Sequence, residues 1–228
     1  MKKVLLFALL AASAQASHAQ SIAAGTVSLG GSVGYSRNTG KYSYTQGSTS
    51  YTQETTSSQF TFTPSVGYFV KDNLAIGLNA GYSAYRKSYT SYTPAPTVVR
   101  AELDPTTTLR LGAYVQYYKM LTEQFGVLGT LSGGYQSSRD SQYNGNVIQE
   151  FKNSGYYAEL TPGIIFFPIP KLGISASIGS LAYNHLSYDY PTASNNPAPA
   201  GYESTASTFG ARFGLDQLLF GGTYYFGH

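Results

Sequence analysis

The chain has 228 residues, 14 Lys+Arg against 11 Asp+Glu, no cysteine and 22 tyrosines, with only 11% of residues charged. The absence of cysteine excludes a disulfide framework and a cysteine metal site, and the near balance of charge argues against a nucleic-acid footprint. Low charge with abundant aromatics, Gly, Ser and Thr is unusual for a soluble domain of this size; it suits a strand-rich wall with lipid on one side and small polar groups on the other.

Residues 1–19 carry a basic start (Lys2, Lys3), an apolar run from Val4 to Ala12 and a small-x-small ending at Ser17-His18-Ala19. This pattern predicts a secretory signal peptide cut before Gln20, leaving residues 20–228 as one barrel domain. The apolar run falls short of the ~20 residues a helix needs to cross a bilayer.

The first predicted strand covers Gly25 to Asn38. Val27, Leu29, Val33 and Tyr35 share one face, and Ser28, Gly30, Ser32, Gly34 and Ser36 the other. Residues 39–57 are rich in Ser, Thr, Tyr and Gln and read as a long polar loop. Gln59 to Tyr85 then forms a hairpin around Lys71-Asp72-Asn73, with Phe60, Phe62, Val66, Tyr68, Val70, Leu74, Ile76, Leu78 and Tyr82 on its apolar face. Period-2 alternation over ten or more residues means strand. Ordinary strands run to about 5–6 residues, whereas a bilayer-crossing strand needs about 9–11.

Residues 86–105 read as a second long loop. The fourth strand runs from about Thr107 to Tyr118, with Leu109, Leu111, Ala113, Val115 and Tyr117 outward and Arg110, Gly112, Tyr114 and Gln116 inward. A short connection, 119–124, leads into a fifth strand, Phe125 to Ser137. Residues 138–153 read as a third loop. The sixth strand is Ser154 to Phe167, and Pro168 to Lys171 is a stiff turn. The seventh strand starts at Leu172, with Ile174, Ala176 and Ile178 outward, and is extendable to Tyr190. A Pro/Ala/Asn-rich loop, 191–201, precedes the last strand, Thr205 to Phe226. In that strand the alternation slips at Asp216-Gln217. A β-bulge, which adds one residue and flips parity, accounts for it; a turn there is the alternative, with the upper halves of the last two strands rising as a ribbon.

The predicted fold is therefore all-β, an eight-stranded antiparallel up-and-down transmembrane β-barrel. Long connections (39–57, 86–105, 138–153, 185–204) alternate with short ones (71–73, 119–124, 168–171), as in membrane barrels. Outward aromatics fall in two rows. Tyr68, Tyr117, Phe125, Phe166 and Tyr224 lie beside the short turns; Tyr35, Phe60, Tyr82, Tyr135 and Tyr156 lie near the long connections. Phe125 to Tyr135, at ~3.4 Å per residue and a tilt of ~40°, spans roughly 25 Å, the height of a barrel's apolar band.

Few charges face inward: Arg110, Glu159, Arg212 and Asp216. Isolated interior charges are costly, so they are expected to form a structural charge network that fills the lumen. A gate in a narrow pore is the competing reading, disfavoured because eight strands leave an interior just wide enough for side chains. His185 and Ser187 share the parity of inward positions; a hydrolase would need an acidic partner beside them, for which Asp189 or Glu203 could in principle serve. No metal-ligand spacing, phosphate loop or nucleophile elbow is present, so neither cofactor nor metal is expected. The Tyr/Ser/Thr-rich stretches SYTQGSTSYTQETTSS and RKSYTSYTPAPT suit adaptable surface contact.

The hairpins PSVGYFVKDNLAIG and LTPGIIFFPIPKLGISASIG and the ending LLFGGTYYFGH resemble the small outer-membrane β-barrel family related to the OmpA transmembrane domain and OmpX, over nearly all of the mature chain. The resemblance implies short periplasmic turns, four long extracellular loops, and residence in the outer membrane of a Gram-negative bacterium after leader cleavage. It also implies that Gly222, Tyr224 and Phe226 form the C-terminal signal read by the barrel-assembly machinery, although Gly227 and His228 follow the terminal aromatic. The expected protein is a monomer in contact with lipid and lipopolysaccharide. Its expected role is structural or surface-interacting, without catalysis, with an extracellular ligand engaged through the loops. A small passive pore is the alternative, and a lipid-modifying enzyme built on His185 and Ser187 a second.

Overall fold

The computed structural model describes residues 21–92, 98–102, 104–144, 147–190 and 198–227. The expected leader lies outside them. The strands are β1 (Val27–Gln46), β2 (Thr49–Lys71), β3 (Leu74–Tyr92), β4 (Val98–Glu102), β5 (Thr106–Met120), β6 (Phe125–Asn144), β7 (Val147–Ile169), β8 (Leu172–Ser177), β9 (Gly179–Tyr188), β10 (Thr205–Phe213) and β11 (Leu219–Phe226). All pairings are antiparallel. They make eight staves, because β8 and β9 are the two halves of one stave, β10 and β11 of another, and β4 is a short strand on the top of β3. The cylinder closes where β1 pairs with β11, from Val27↔Phe226 to Val33↔Phe220.

Alternation governs which face meets which medium. Along β5, Leu109, Leu111, Val115 and Tyr117 are exposed while Arg110, Tyr114 and Tyr118 turn inward. Leu111 is 67% exposed. An isolated apolar side chain on a surface is unremarkable, but here every stave presents such a face, so the wall is suited to hydrocarbon and not to water.

Two of the stretches expected to be loops are strands. β1 and β2 stay in register up to Gln46↔Thr49, so 39–57 is a ribbon with a two-residue turn at Gly47-Ser48. β6 and β7 stay paired to Asn144↔Val147 across 138–153. The third, 86–105, is largely β3 and its partner β4. Above the bilayer both faces of a ribbon meet water, so the hydrophobic alternation that announces a strand disappears although the backbone pairing persists. Of the expected loop at 191–201, residues 191–197 lie outside the described residues.

The expected bulge at Asp216-Gln217 is instead a break. Gly214 leads into a 3-10 turn, Leu215–Gln217, before β11 begins. The neighbouring stave breaks at the same height, at Ile178, where Gly214 N–H donates to Ile178 O at 3.0 Å. Gly179 has φ +135°, and a Cβ there would lie 2.1 Å from Arg212 O, so only glycine lets the two staves kink together.

The buried core sits at the short-turn end. Phe69, Ala75, Tyr118, Ile165, Phe167 and Tyr225 converge on Ile22 from the N-terminal segment. That segment is strapped across the base. Ile22 N–H donates to Asn73 Oδ1 at 2.9 Å, Asn73 N–H donates back to Ile22 O at 2.9 Å, and Ala24 N–H donates to Asp72 Oδ1 at 2.9 Å. The hairpin turn at Asp72-Asn73, with Asn73 in the left-handed region at φ 62°, thus both reverses the chain and holds the strap.

Candidate functional site

Above this plug the lumen is polar. Arg110 on β5 reaches across β6 to Glu159 on β7, with Nη1 donating to Oε2 at 3.0 Å. The intervening strand turns Ser132 and Gly134 inward at that level, and these small residues leave the space that the long guanidinium arm crosses. Arg110 Nε donates to Gln136 Oε1 at 3.0 Å, and Gln136 Nε2 donates to Asn184 Oδ1 at 2.9 Å. The guanidinium carbon lies 4.8 Å from the Tyr157 ring centroid, and the Tyr157 hydroxyl donates to Asn79 Oδ1 at 3.3 Å. Five strands are thereby tied across the middle of the barrel.

Arg110 and Glu159 line both of the main cavities. Below them lies a space of about 240 Å³ edged by Ser28, Tyr114, Thr130 and Thr223, and above them one of about 460 Å³ edged by Ser36, Thr61, Thr108, Asn184, Arg212 and Asp216. Arg212 and Asp216, expected in one network with the other two charges, face the upper cavity without joining the Arg110–Glu159 pair. Asp216 Oδ2 accepts from the adjacent Gln217 Nε2 at 3.0 Å. The reason is the break at 214–218, which carries this corner of the wall away from the central pair.

His185 and Ser187 are not where their parity suggested. The kink at Ile178-Gly179 shifts the alternation, so Asn184 points in while His185 and Ser187 lie exposed on the outside. His185 Nδ1 meets Ser207 Oγ across the β9–β10 pair at 2.8 Å, not Ser187, and no carboxylate contacts it among the described residues. A base without an orienting third group is a poor starting point for nucleophilic chemistry.

The aromatics named for the two rows are all exposed on the outer wall: Tyr68, Tyr117, Phe125, Phe166 and Tyr224 beside the short turns, and Tyr35, Phe60, Tyr82, Tyr135 and Tyr156 further up. Tyr135 and Tyr156 pack edge to face at 6.0 Å. Tyr224 and Phe226 do the same at 4.8 Å on β11, beside Gly222. The inward aromatics at the base, Phe69, Tyr118, Phe167 and Tyr225, were not singled out from sequence. Each is an inward aromatic close to a short turn or the C-terminus, and parity alone distinguishes it from the outer row.

Among the described residues no group of three or more His, Cys, Asp or Glu side chains is placed to hold a metal ion. No helix among them is long and apolar enough to cross a membrane, so any crossing is made by strands.

Among the solved structures to which the chain is similar are three outer-membrane barrels. The crystal structure of the N-terminal β-barrel domain of OprF from Pseudomonas aeruginosa is 12% identical, covering 91% of this chain and 100% of that one, with a TM-score of 0.40. The outer membrane protein OprG from Pseudomonas aeruginosa is 17% identical, covering 91% and 99%, at a TM-score of 0.46. The outer membrane protease OmpT from Escherichia coli is 10% identical, covering 91% and 98%, at a TM-score of 0.33. At these scores the likenesses say nothing of what the chain does. A comparison with curated proteins finds no match. The family described as "Outer membrane protein beta-barrel domain" matches residues 4–216. With its eight-stave wall joined into a cylinder by the β1–β11 pairing, its outward apolar faces and this match over most of its length, the chain belongs to the outer membrane protein beta-barrel domain family of Gram-negative outer membranes.

Proposed function

We propose that this protein is a non-catalytic surface-display barrel, anchored by its wall and working through the ribbons that rise above it. The observation that carries the reading is the continuation of β1 and β2 beyond the upper aromatic row. From Tyr35 to Gln46, at ~3.4 Å per residue, the ribbon adds roughly 35 Å of paired strand. Its upper part is cross-braced. Tyr44 stacks on Tyr51 at 5.0 Å, Tyr42 lies 5.7 Å from Tyr44, Lys41 pairs with Glu54 at 3.6 Å, and Ser43 bonds Thr52 at 3.0 Å. Exposed, pre-ordered tyrosines beside small hydroxyl residues supply contact area at little entropic cost. The sealed base weighs against a passive pore, because the aromatic plug and the strapped N-terminal segment stand in the path at the periplasmic end.

In this reading the leader is removed during export, and the outward Tyr224 and Phe226 of β11 serve the assembly machinery before they face lipid. The test uses cells producing the full chain or a variant in which residues 40–55 are replaced by a short turn. Both are expected to show heat-modifiable migration on gels and to give no stable conductance steps in planar bilayers. Retention on mucin- and collagen-coated surfaces is expected to fall several-fold with the variant alone. Equal retention of the two, or well-resolved steps from the full chain, would contradict the reading.

A further inference from the structure

The cylinder is closed only in its lower part. Pairing between β1 and the last stave ends at Val33↔Phe220. Above that, β10 pairs with β9 alone, and β1 pairs with β2 alone, among the described residues. A gap therefore runs up the wall between β1 and β10, starting where Leu219 packs over Gly34; a Cβ on Gly34 would meet Leu219 Cδ2 at 2.3 Å. The outer rim of the gap is apolar, with Phe209, Phe213 and Leu215 exposed at 71%, 57% and 85%. These residues belong in hydrocarbon. Unpaired backbone groups are tolerated at that depth only where they border a polar cavity or a bound partner.

The cavity behind the gap supplies that border. The upper space of about 460 Å³ is lined by residues from both edges, Tyr35 and Ser36 on β1 and Gly210 and Arg212 on β10, and its floor is the Arg110–Glu159 pair. The volume is that of a small-ligand pocket. Of its four charges, Arg110 and Glu159 are bonded to each other and Asp216 accepts from Gln217. Arg212 has no hydrogen-bond or carboxylate partner among the described residues. An unpaired guanidinium in a partly enclosed cup favours a carboxylate or phosphate, which it can hold through two parallel N–H donors.

We propose that the gap between β1 and β10 is a side portal, and that the cup behind it receives the head group of an anionic, single-chain amphiphile from the membrane's outer half. Arg212 binds the head, and the acyl tail lies in the gap against Leu218, Phe209 and Phe213. A single gap between neighbouring strands admits one chain, and the plugged base makes the cup a binding site and not a passage. This goes beyond the ribbon reading and stands or falls independently of it.

The full chain is reconstituted in nanodiscs of a zwitterionic phospholipid and titrated calorimetrically with dodecanoate, dodecyl phosphate and dodecanol, against empty nanodiscs. Saturable one-to-one binding of either anion, with dodecanol at least tenfold weaker, is the expected result, and the tighter anion names the head group. Arg212→Gln is expected to weaken binding about tenfold or more, a loss typical of one charge-assisted contact. Gly210→Trp is expected to fill the cup's mouth and abolish binding while heat-modifiable migration persists, because a Cβ at Gly210 meets open space. The proposal is overturned by uptake no greater than that of empty discs, by dodecanol binding as tightly as the anions, or by both variants binding as the unaltered chain does.

Discussion

Tyr118→Ala is expected to destabilise the folded barrel by about 3–5 kcal/mol, the cost of removing a large aromatic from a tightly packed site. Tyr118 is 2% exposed at the centre of the base. Its ring meets Phe69 at 5.5 Å and Tyr225 at 6.5 Å. Its hydroxyl donates to Gln116 Oε1 at 2.7 Å and lies 3.2 Å from the Tyr225 hydroxyl. Tyr118→Phe keeps the packing and loses only the hydroxyl's contacts, so about 1 kcal/mol is expected. Urea-dependent unfolding from lipid vesicles, followed by gel mobility, measures both. A loss below about 1 kcal/mol for the alanine variant would mean that the base is not the packed core of the molecule.

The second large effect lies at the central ion pair. Arg110→Ala removes the partner of Glu159 and the donor to Gln136, leaving a carboxylate facing a confined lumen. Unpairing a fully buried charge costs about 3–5 kcal/mol. Here the side chains are 37% and 23% exposed, so water offsets part of that and about 2 kcal/mol is expected. The double variant Arg110→Met with Glu159→Leu is expected to recover most of the loss, because no unpaired charge then remains. The same unfolding assay decides. A double variant less stable than Arg110→Ala would show that the pair is favourable in itself, beyond the penalty of leaving one charge alone.

The wall was readable from sequence because a bilayer imposes a rule on every crossing strand. Leu109, Leu111, Val115 and Tyr117 had to share a face opposite Arg110, Tyr114 and Gln116, and the short turns at 71–73 and 168–171 fix register. Where that rule lapses, legibility lapses with it. The Ser/Thr-rich run from Asn38 to Ser57 carries polar residues on both faces, so nothing in its pattern separates a solvated ribbon from a loop; only the pairing Asn38↔Ser57 through Gln46↔Thr49 shows the difference. The charges Arg212 and Asp216 were grouped with Arg110 and Glu159 by parity, which is blind to a corner in the wall. The same corner, at Ile178-Gly179 and Gly214–Leu218, moved His185 outward and matched it with Ser207. A pair of glycines at matching height on neighbouring strands was the available signal, and it was hidden among 25 glycines. The plug was missed for a different reason. Phe69, Tyr118, Phe167 and Tyr225 are the same residue types as the outer rows and differ from them only by one position along the strand.

The central claim, a wall with lipid outside and a polar lumen within, is tested most directly by spin-label accessibility along β5. The chain has no cysteine, so single cysteines from Leu109 to Tyr117 can be labelled without background. Collision with oxygen, which concentrates in lipid, is predicted to peak at positions 109, 111, 113, 115 and 117. Collision with a water-soluble nickel chelate is predicted to be greatest at 110, 112 and 116. A profile without this two-residue period, or one in which the odd positions are shielded from both reagents, would contradict it.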